Sequence, residues 1–540
     1  MKKRNLIAIL LCLVMFSMAA CGGNSNTPAD TPAGAGPTTA ASSAPGSASA
    51  ARDTLNISMA SDAGTLNPSQ MTSGLAEAIQ TVYEPLWEVT EDDEIIYLLA
   101  ESVEEVDPTH WIVKLRQGVT FSNGNPLTAS DVIFSLKYWK SVGINAVRVQ
   151  SLDAEATNAI DDYTVELCMV DYYVMNWTAC SLFMIYDEES FDEAKINLNP
   201  IGTGPYALKE YVTNSHLILE RRDDYWGEQP DIKTLNFRVM SEPSQVVNAL
   251  NTGMIDIATV LEMADYEFVS GLPGYNVDSR YVGGGRTLRF NSSKHSFFNR
   301  FDDPQKGLDA RYAVIHAINP QVIIDIVYEG KGKVMKNVAP ELCFDYKPEY
   351  VGMHPTYAIG YDPELAKKYA ESSGLTGETI TIMTDGQADR VATAELVQDM
   401  LAQIGVTAEI NNFDPATVNT AQYDPESTHD LQIDAQIAPN RRVCDLLVNG
   451  VRYSPILSAP GAFPNNEYYL EIAPLTIHTP DEEKRLEIVW EVLSLYIENA
   501  LSFGMCEVEQ AQAFPGDIDV SSIRRGVCNG NIRFMDLKLV

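Results

Sequence analysis

The sequence predicts an α/β fold of two or three lobes, and three observations lead to this prediction. A chain of 540 residues is too long for one ordinary hydrophobic core. Apolar and basic side chains alternate at 111–116, as in a strand, and a helical period follows at 129–139. A strand, a helix and a second strand then succeed one another over 379–410, as in a β-α-β unit.

The elements of the N-terminal half follow from local side-chain patterns. Residues 54–60, TLNISMA, alternate and predict the first strand. Thr128 is the predicted N-cap of the helix at 129–139, because a side-chain oxygen there can accept from a free backbone N–H. The predicted inward side chains of this helix are those of Val132, Ile133 and Leu136.

The hexapeptide IGTGPY at 201–206 predicts a constrained turn. Gly202 and Gly204 can take backbone angles that are closed to other residues, and Pro205 fixes its own φ. Such a segment interrupts a helix or a strand and marks a change of direction in the chain.

The C-terminal half contains the β-α-β unit and a late helix. Strands are predicted at 379–383 and 406–410, with Gly405 ending the helix between them. The apolar face of that helix consists of Leu396, Val397, Met400, Leu401 and Ile404. Residues 479–482, TPDE, predict a capping box with proline at the first helical position. The buried stripe of this late helix consists of Leu486, Val489, Leu493 and Tyr496.

The charge balance excludes some classes of partner. Lys and Arg number 38 against 74 Asp and Glu, which gives a net charge of −36. Nucleic-acid binding and electrostatic docking on anionic lipid both need a basic surface, so neither is expected.

The N-terminus predicts export. A basic start at 2–4 precedes an apolar stretch at 6–16, and small residues follow just before Cys21. SMAAC resembles the lipobox of bacterial lipoproteins, which implies that 1–20 is a signal peptide and that Cys21 carries lipid. Residues 22–52 are nearly all small or proline, so 21–52 is predicted to be a flexible tether before a body at 53–540.

No catalytic or metal-binding constellation is present in the sequence. The seven histidines are isolated, and the nucleophile-elbow and phosphate-cradling motifs do not occur. We therefore predict a binding protein without a cofactor. The cysteines of the body are predicted to be mainly buried small hydrophobes, with Cys168–Cys180 and Cys506–Cys528 as candidate disulfides.

Seven ordered blocks resemble the extracellular solute-binding proteins of family 5, the peptide- and nickel-binding group of ABC importers. The blocks begin with TLNISMASDAGTLNPS at residue 54 and include WIVKLRQGVTFSNGNPLTASDVIFSL, NPIGTGPYALKEY, LERRDDYWG and VVNALNTGMIDIA. One departure is HAINPQ, in which Asn319-Pro320 replaces a charged pair and leaves local capping uncertain.

The resemblance implies a fold like that of type II periplasmic binding proteins, with two α/β lobes, a hinge and an inserted extra lobe. Lobe I is expected at about 53–95, 200–280 and 485–540. Lobe II is expected at about 96–199 and lobe III at about 281–484. Ligand is expected between lobes I and III, where hinge closure would bury it.

A peptide ligand would need an acid for its amine and a base for its carboxylate. Asp445 or else Asp434 is expected to bind the amine, although a surface acid is the simpler interpretation of each. Arg286 is preferred for the carboxylate, followed by Arg441 or Arg442, with a rim salt bridge as the simpler role.

Three further residues are candidates for the cleft. Trp177 and Tyr281 are expected to line side-chain subsites, with core packing as the alternative, and Asp62 is expected to face the cleft. The expected partners are a peptide, an ABC permease with its ATPase, and the membrane through the N-terminal lipid, with the protein itself a monomer. A nickel chelate, haem, an opine or a sugar stays open as the ligand, as do a sensor without an importer and an envelope peptide hydrolase.

Overall fold

The computed structural model describes residues 52–62, 64–70, 76–142, 144–437, 441–452, 457, 462–526 and 531–540. The strands in this part of the chain are β1 (Thr54–Met59), β2 (Trp87–Val89), β3 (Ile95–Tyr97), β4 (Ala100–Asp107), β5 (His110–Leu115), β6 (Asn158–Asp161), β7 (Thr164–Cys168), β8 (Tyr206–Val212), β9 (His216–Arg221), β10 (Thr234–Val239), β11 (Ala258–Leu261), β12 (Tyr275–Phe290), β13 (Gly332–Val334), β14 (Thr379–Thr384), β15 (Thr407–Asn412), β16 (Leu431–Ile437) and β17 (Ser502–Pro515).

The helices in the described residues connect and cover these strands. They are α1 (Ala76–Ile79), α2 (Ala129–Ser141), α3 (Asn176–Ser181), α4 (Pro243–Asn251), α5 (Tyr266–Ser270), α6 (Pro304–Ala317), α7 (Pro320–Val327), α8 (Pro355–Ile359), α9 (Pro363–Ser373), α10 (Ala388–Ala402), α11 (Pro415–Ala421), α12 (Val443–Arg452), α13 (Asn466–Ile472), α14 (Leu475–His478) and α15 (Glu482–Glu498). Among them, none combines the length and the apolar content that crossing a bilayer requires.

The first hydrophobic core contains two four-stranded sheets, β1-β10-β9-β8 and β4-β5-β7-β6. β1 pairs with β10 in parallel, with Leu55 opposite Leu235 and Ile57 opposite Phe237. These four side chains are buried, so the alternation predicted for the first strand places its apolar face in the core.

The second core surrounds the sheet β11-β17-β12-β16-β14-β15, with β13 also paired to β17. The predicted β-α-β unit is confirmed, because β14 and β15 are parallel neighbours and α10 connects them. Gly405 has φ +80°, the left-handed value of a residue that ends a helix.

A third, mainly helical core contains buried side chains of α12, α13, α14 and α15. Met175, from the segment before α3, is also part of this core, and Tyr173 and Val174 pack against it. This short segment, which follows β7 and leads into α3, therefore packs against the third core. The lobe bounds given above stay a prediction.

β12 and β17 are long enough to run from one core to another. They pair antiparallel from Tyr275–Pro515 to Arg289–Ser502, and Phe514 lies in the first core while Leu288 lies in the second. The pairing register shifts between Tyr281 and Gly285, and a second shift follows between Arg286 and Thr287. The two strands therefore form a continuous connection that is irregular near the triple glycine.

Three local expectations are corrected by the structure. The late helix has its N-cap at Asp481, which accepts from Lys484 N–H (2.9 Å), so the predicted start at Thr479-Pro480 is wrong by two residues. The substitution at Asn319 preserves a cap, because its side chain accepts from Gln321 N–H (3.1 Å). Cys168 and Cys180 are free buried thiols, so the bridge considered between them is not formed.

The remaining cysteines of the described part are also free and buried, as expected of small hydrophobes. These are Cys343, Cys444 and Cys506. Cys528, the partner considered for Cys506, lies outside the described residues, as does Cys21.

Candidate functional site between the cores

Segments from the N-terminal and C-terminal halves of the chain lie against one another in what we call the intercore region. One side comprises the turn at 90–93, between β2 and β3, and the segment at 172–177, which enters α3. The other side comprises 441–445, where β16 leads into α12, and 477–485, which joins α14 to α15.

Two hydrogen bonds to main-chain carbonyls hold these segments together. Val174 N–H donates to the Ile477 carbonyl at 2.9 Å. His478 Nδ1 lies 2.8 Å from the Tyr172 carbonyl oxygen, 306 positions away in the sequence. The contact is therefore tertiary and depends on the relative placement of two cores.

Two acids of the turn at 90–93 form ion pairs with arginines from the other side. Glu91 Oε1 lies 2.8 Å from Arg280 Nη1, and its Oε2 lies 3.2 Å from Arg441 Nη2. Arg441 Nη1 also donates to the Glu91 carbonyl at 2.8 Å. Arg442 Nη2 contacts both carboxylate oxygens of Asp93 at 2.9 and 3.1 Å. The two consecutive arginines thus bind one turn of the opposite side.

The irregular point of β12 lies against the same arginine. Gly283 has φ +78°, and a Cβ placed on it would lie 3.6 Å from Arg441 Cγ. Arg441 itself has φ +46°, in the region that residues with a side chain rarely adopt. The connecting strand and the ion pairs therefore share a contact.

An aromatic cluster lies beside the 172–177 segment. The ring centroid of Trp177 is 4.9 Å from that of Trp87 and 4.6 Å from that of Trp111. Trp87 Nε1 donates to the Trp177 carbonyl at 2.9 Å, which fixes the segment on the first core. Trp177 is only partly buried, so part of its ring remains available for contact.

Several side chains here have buried polar atoms without a hydrogen-bond partner in the described structure. These atoms are both amide atoms of Asn176, Nε and Nη1 of Arg485, Nε1 of Trp111, and Nε of Arg441 and of Arg442. Asn176, Arg485 and Trp111 are 2%, 5% and 3% exposed. Each unpaired buried group costs about 1–3 kcal/mol, so the region is less stable than a fully satisfied core.

Arg485 follows His478, whose ring contacts the segment at 172–177, at the start of the next helix. It lies in the first turns of α15, and it is 5% exposed. Burial raises the pKa of the Tyr172 hydroxyl, and the positive charges of Arg485 and Arg442 oppose that rise.

Arg286 and Asp434, two of the predicted ligand contacts, have partners in the second core. Arg286 Nε donates to Asp389 at 2.7 Å, and Tyr328 OH donates to the same oxygen at 3.0 Å. Asp434 lies 2.8 Å from Arg289. The structure therefore does not bring this pair into the intercore region.

The other predicted residues fall in several places. Asp62 accepts from Tyr211 OH at 2.5 Å at the edge of the first sheet, and Tyr281 lies on β12 with Lys333 Nζ 4.9 Å from its ring centroid. Asp445 is buried at the start of α12. Four of the predicted residues lie on the segments that form the intercore region: Trp177, Arg441, Arg442 and Asp445.

Four residues of this region were not predicted from the sequence. Glu91 and Asp93 belong to the acidic run EDDE, which could have been matched to the Arg-Arg pair at 441–442. No sequence pattern around Asn176 marks it as a site residue. Arg485 occupies the same helical stripe as Val489 and the other buried residues of α15, and that position is the signal that its charge is buried.

The described residues contain no group of three or more His, Cys, Asp or Glu side chains arranged to hold a metal ion. The intercore region offers arginine donors, carboxylates and aromatic surface instead. Such a set can bind a small polar solute through hydrogen bonds and ion pairs.

Comparison with known proteins gives a family match and several relatives. The sequence profile of the bacterial extracellular solute-binding proteins, family 5 Middle, matches residues 94–440. The nickel-binding periplasmic protein of Escherichia coli K12 is 27% identical over 410 residues, covering 69% of this chain and 74% of the relative. The dipeptide-binding protein of the same organism is 28% identical over 399 residues, covering 64% and 69%.

A crystal structure of an ABC transporter substrate-binding protein from Listeria monocytogenes has the same fold. It superposes with a TM-score of 0.78 at 21% identity and covers 91% of this chain and 100% of its own. The predicted type II periplasmic-binding-protein fold is thereby confirmed. The chain belongs to the bacterial extracellular solute-binding proteins of family 5, as a substrate-binding component of ABC transport and not an enzyme.

Proposed function

We propose that this protein captures di- and oligopeptides between its lobes and delivers them to an ABC permease. The observation that carries the proposal is the intercore region, where Arg441 and Arg442 bind a turn of the opposite side while β12 and β17 connect the cores. Ion pairs of this kind form only when the two sides are close, so they favour a closed arrangement.

A peptide suits the chemistry of this region. It carries an amine, a carboxylate and backbone amides, and the region supplies acids, arginines and the Asn176 amide. Trp177 adds apolar surface for a side chain. Among the relatives, the dipeptide-binding protein of Escherichia coli supports this ligand class.

A nickel chelate is the second candidate, and the similarity to the nickel-binding periplasmic protein favours it. The described residues hold no cluster that would ligate a bare metal ion. A chelate carries its own ligands and presents carboxylates to the protein, which arginines can bind.

Native mass spectrometry of the purified protein tests the two candidates together. The protein is incubated separately with an equimolar tripeptide pool and with nickel–histidine complex. We expect masses of one bound peptide and an increase in melting temperature with the pool, since a ligand of the folded form stabilises it. Binding of the nickel complex without any peptide would contradict the proposal.

The same proposal includes attachment to the membrane through Cys21. The basic start, the apolar stretch and the small residues before Cys21 support cleavage after residue 20, and 21–52 would tether the body. Labelling cells with an alkyne fatty acid should mark the wild-type protein and leave a Cys21→Ser variant unlabelled. Equal labelling of both would contradict lipidation at this cysteine.

A further inference from the structure

We propose that Arg485 binds a carboxylate of the captured solute and that Asn176 hydrogen-bonds the amide next to it. This inference rests on the proposed peptide-binding function and deepens it. The solute would then be a peptide with a free C-terminus, held at its last peptide unit. Arg286, Arg441 and Arg442, the arginines favoured from the sequence, would instead form ion pairs within the protein.

Arg485 is the arginine of the intercore region whose charge the protein leaves without an ion pair, as far as the described residues extend. Arg280 and Arg441 share Glu91, and Arg442 is paired with Asp93. Arg485 is 5% exposed, and its Nε and Nη1 have no hydrogen-bond partner. A buried guanidinium favours a bidentate carboxylate, which matches its planar fork of donors.

The position of Arg485 in α15 strengthens the preference for an anion. The helix begins at Glu482 after the N-cap Asp481, so Arg485 belongs to its first turns. The N-terminal end of a helix carries partial positive charge, which disfavours a cation and favours a negative group beside it. An incoming carboxylate would interact favourably with both the guanidinium and the helix end.

Asp345, whose charge acts together with that of Arg485 on the Tyr350 hydroxyl, already has other donors. Asp345 Oδ2 accepts from Cys444 N–H at 3.1 Å, and its other oxygen accepts from Val443 N–H at 2.5 Å. Tyr350, which lies close enough to Arg485 for the charge to act on its hydroxyl, has no hydrogen-bond partner for that hydroxyl in the described structure. The surroundings thus leave the donors of Arg485 for another acceptor.

Asn176 offers the complement of a peptide unit. Its Oδ1 can accept from an N–H and its Nδ2 can donate to a carbonyl, and neither has a partner although the residue is 2% exposed. The next residue, Trp177, presents a partly buried ring. The segment at 172–177 therefore contributes both a buried amide and a partly buried aromatic ring, the two kinds of group that the last residue of a peptide would require.

The test uses one tripeptide pool made twice, as free acids and as C-terminal amides. Binding of each pool to the full protein is measured by native mass spectrometry and by the shift in melting temperature. We expect the wild type to bind the free acids at least tenfold better, and Arg485→Gln to bind both pools equally. Asn176→Ala should weaken binding of the free acids by severalfold while keeping the preference for them.

The control is Arg300→Gln, which removes a guanidinium that pairs with Glu378 on the second-core side. It should keep the wild-type preference. Equal binding of both pools by the wild type, or a preserved preference in Arg485→Gln, would overturn the role of Arg485 and leave peptide capture intact. Binding of neither pool would overturn both proposals.

The comparison of acid and amide pools in the wild type needs no variant, so equal binding of the two pools would overturn the role of Arg485 even if Arg485→Gln does not fold. Arg485→Lys gives a second measure, because it keeps the charge and removes the planar fork. We expect it to retain part of the preference. A preference equal to that of the wild type in Arg485→Lys would contradict bidentate binding.

Discussion

Arg222 shows how one buried charge can organise a turn. Its guanidinium donates to the carbonyls of Thr203 and Gly204 at 3.2 and 3.1 Å and to that of Phe121 at 3.1 Å, while Asp224 lies 3.1 Å from its Nε. The turn at 201–206 therefore gathers its carbonyl oxygens around one cation. Such charge-assisted bonds are stronger than neutral ones, and they satisfy oxygens that would otherwise be buried unpaired.

The turn at 201–206 was predicted from the backbone freedom of its glycines, but the structure needs glycine there for a different reason. Neither Gly202 nor Gly204 has a positive φ; instead, a Cβ on Gly202 would lie 2.1 Å from the Val82 carbonyl oxygen. Gly204 N–H donates to that same oxygen at 2.9 Å. The glycines are needed for close approach of two backbones, which local sequence cannot reveal.

Replacing Gly202 by alanine should therefore destabilise the protein. The new Cβ would collide with backbone, which cannot move as a side chain would, and we expect a loss of ~3 kcal/mol in the free energy of unfolding. Urea denaturation measures it. Gly271→Ala is the control, because its nearest neighbour would lie 3.4 Å away, and it should change stability by less than about 1 kcal/mol. Equal stability of the two variants would contradict this account.

His429 should make stability depend on pH. Burial lowers its pKa to about 4 from the ordinary 6.5, with Asp430 opposing the shift. Between these values the unfolded state binds more protons than the folded one, so stability falls as pH falls from 6.5 to 4. His429→Gln should remove ~2 kcal/mol of this loss, measured by urea denaturation at both pH values.

The control for this pH dependence is His216→Gln, at a partly exposed histidine 3.6 Å from Glu210. It should keep the wild-type slope of stability against pH. A His429→Gln variant with the same slope as wild type would show that other groups cause the loss.

At the scale of single elements, α15 illustrates how the start of a helix is chosen. The TPDE pattern predicted Thr479 as the cap, and the structure uses Asp481. α14 ends at His478 and Thr479 is its C-cap, so Thr479 is already committed to the preceding helix. A local pattern cannot decide between two caps when two helices follow closely.

Substitution of the two candidate caps distinguishes these interpretations. Asp481→Ala should lower the free energy of unfolding by ~1 kcal/mol, because Lys484 N–H loses its acceptor. Thr479→Ala should cost less than about 0.5 kcal/mol. Both are measured by thermal or urea denaturation, and a larger effect for Thr479→Ala would restore the sequence-based assignment.

Elements with strong local periodicity were predictable. The strand, helix and strand between 379 and 410 were correctly assigned because each has a complete apolar face and Gly405 ends the helix. β12 was harder, because its triple glycine interrupts the pattern and the register shift opposite β17 appears only in the tertiary structure. Periodicity indicates which face of an element is buried, but it does not indicate which strand lies beside that element.

At the scale of the whole molecule, the partners of the candidate residues could not be deduced from the sequence. Arg441 and Glu91 are 350 positions apart. Arg286 was favoured for the carboxylate although it is paired with Asp389, and Arg485 was not among the candidates. The sequence blocks that resemble family 5 predicted the fold because their residues form its structural framework. Charge pairing depends on tertiary geometry, so it remained open until the structure was known.

The ion pairs of the intercore region should influence how often the two sides are closed. With dyes on Asp223→Cys and Glu371→Cys, both at exposed positions, energy transfer reports the separation of first-core and second-core surfaces. Arg442→Gln should lower the mean transfer without added ligand, and the population should shift a few-fold, since one ion pair contributes roughly 1 kcal/mol.

Salt gives an independent check of the same prediction. The Asp93 side chain is 38% exposed, so screening should weaken its pair with Arg442, and wild-type transfer should fall at high salt. Arg300→Gln should behave like wild type. Unchanged transfer in Arg442→Gln would mean that this pair does not hold the two sides together.

The order of strands in the second sheet bears on when this chain can fold during synthesis. β17, at 502–515, lies between β11 and β12 in that sheet, yet the ribosome makes it almost last. The sheet cannot be completed until nearly the whole polypeptide has emerged, whereas the first sheet needs only the residues up to Val239. The strands of the second sheet would thereby stay incompletely paired, and so threadable through a translocation channel, until synthesis is nearly finished.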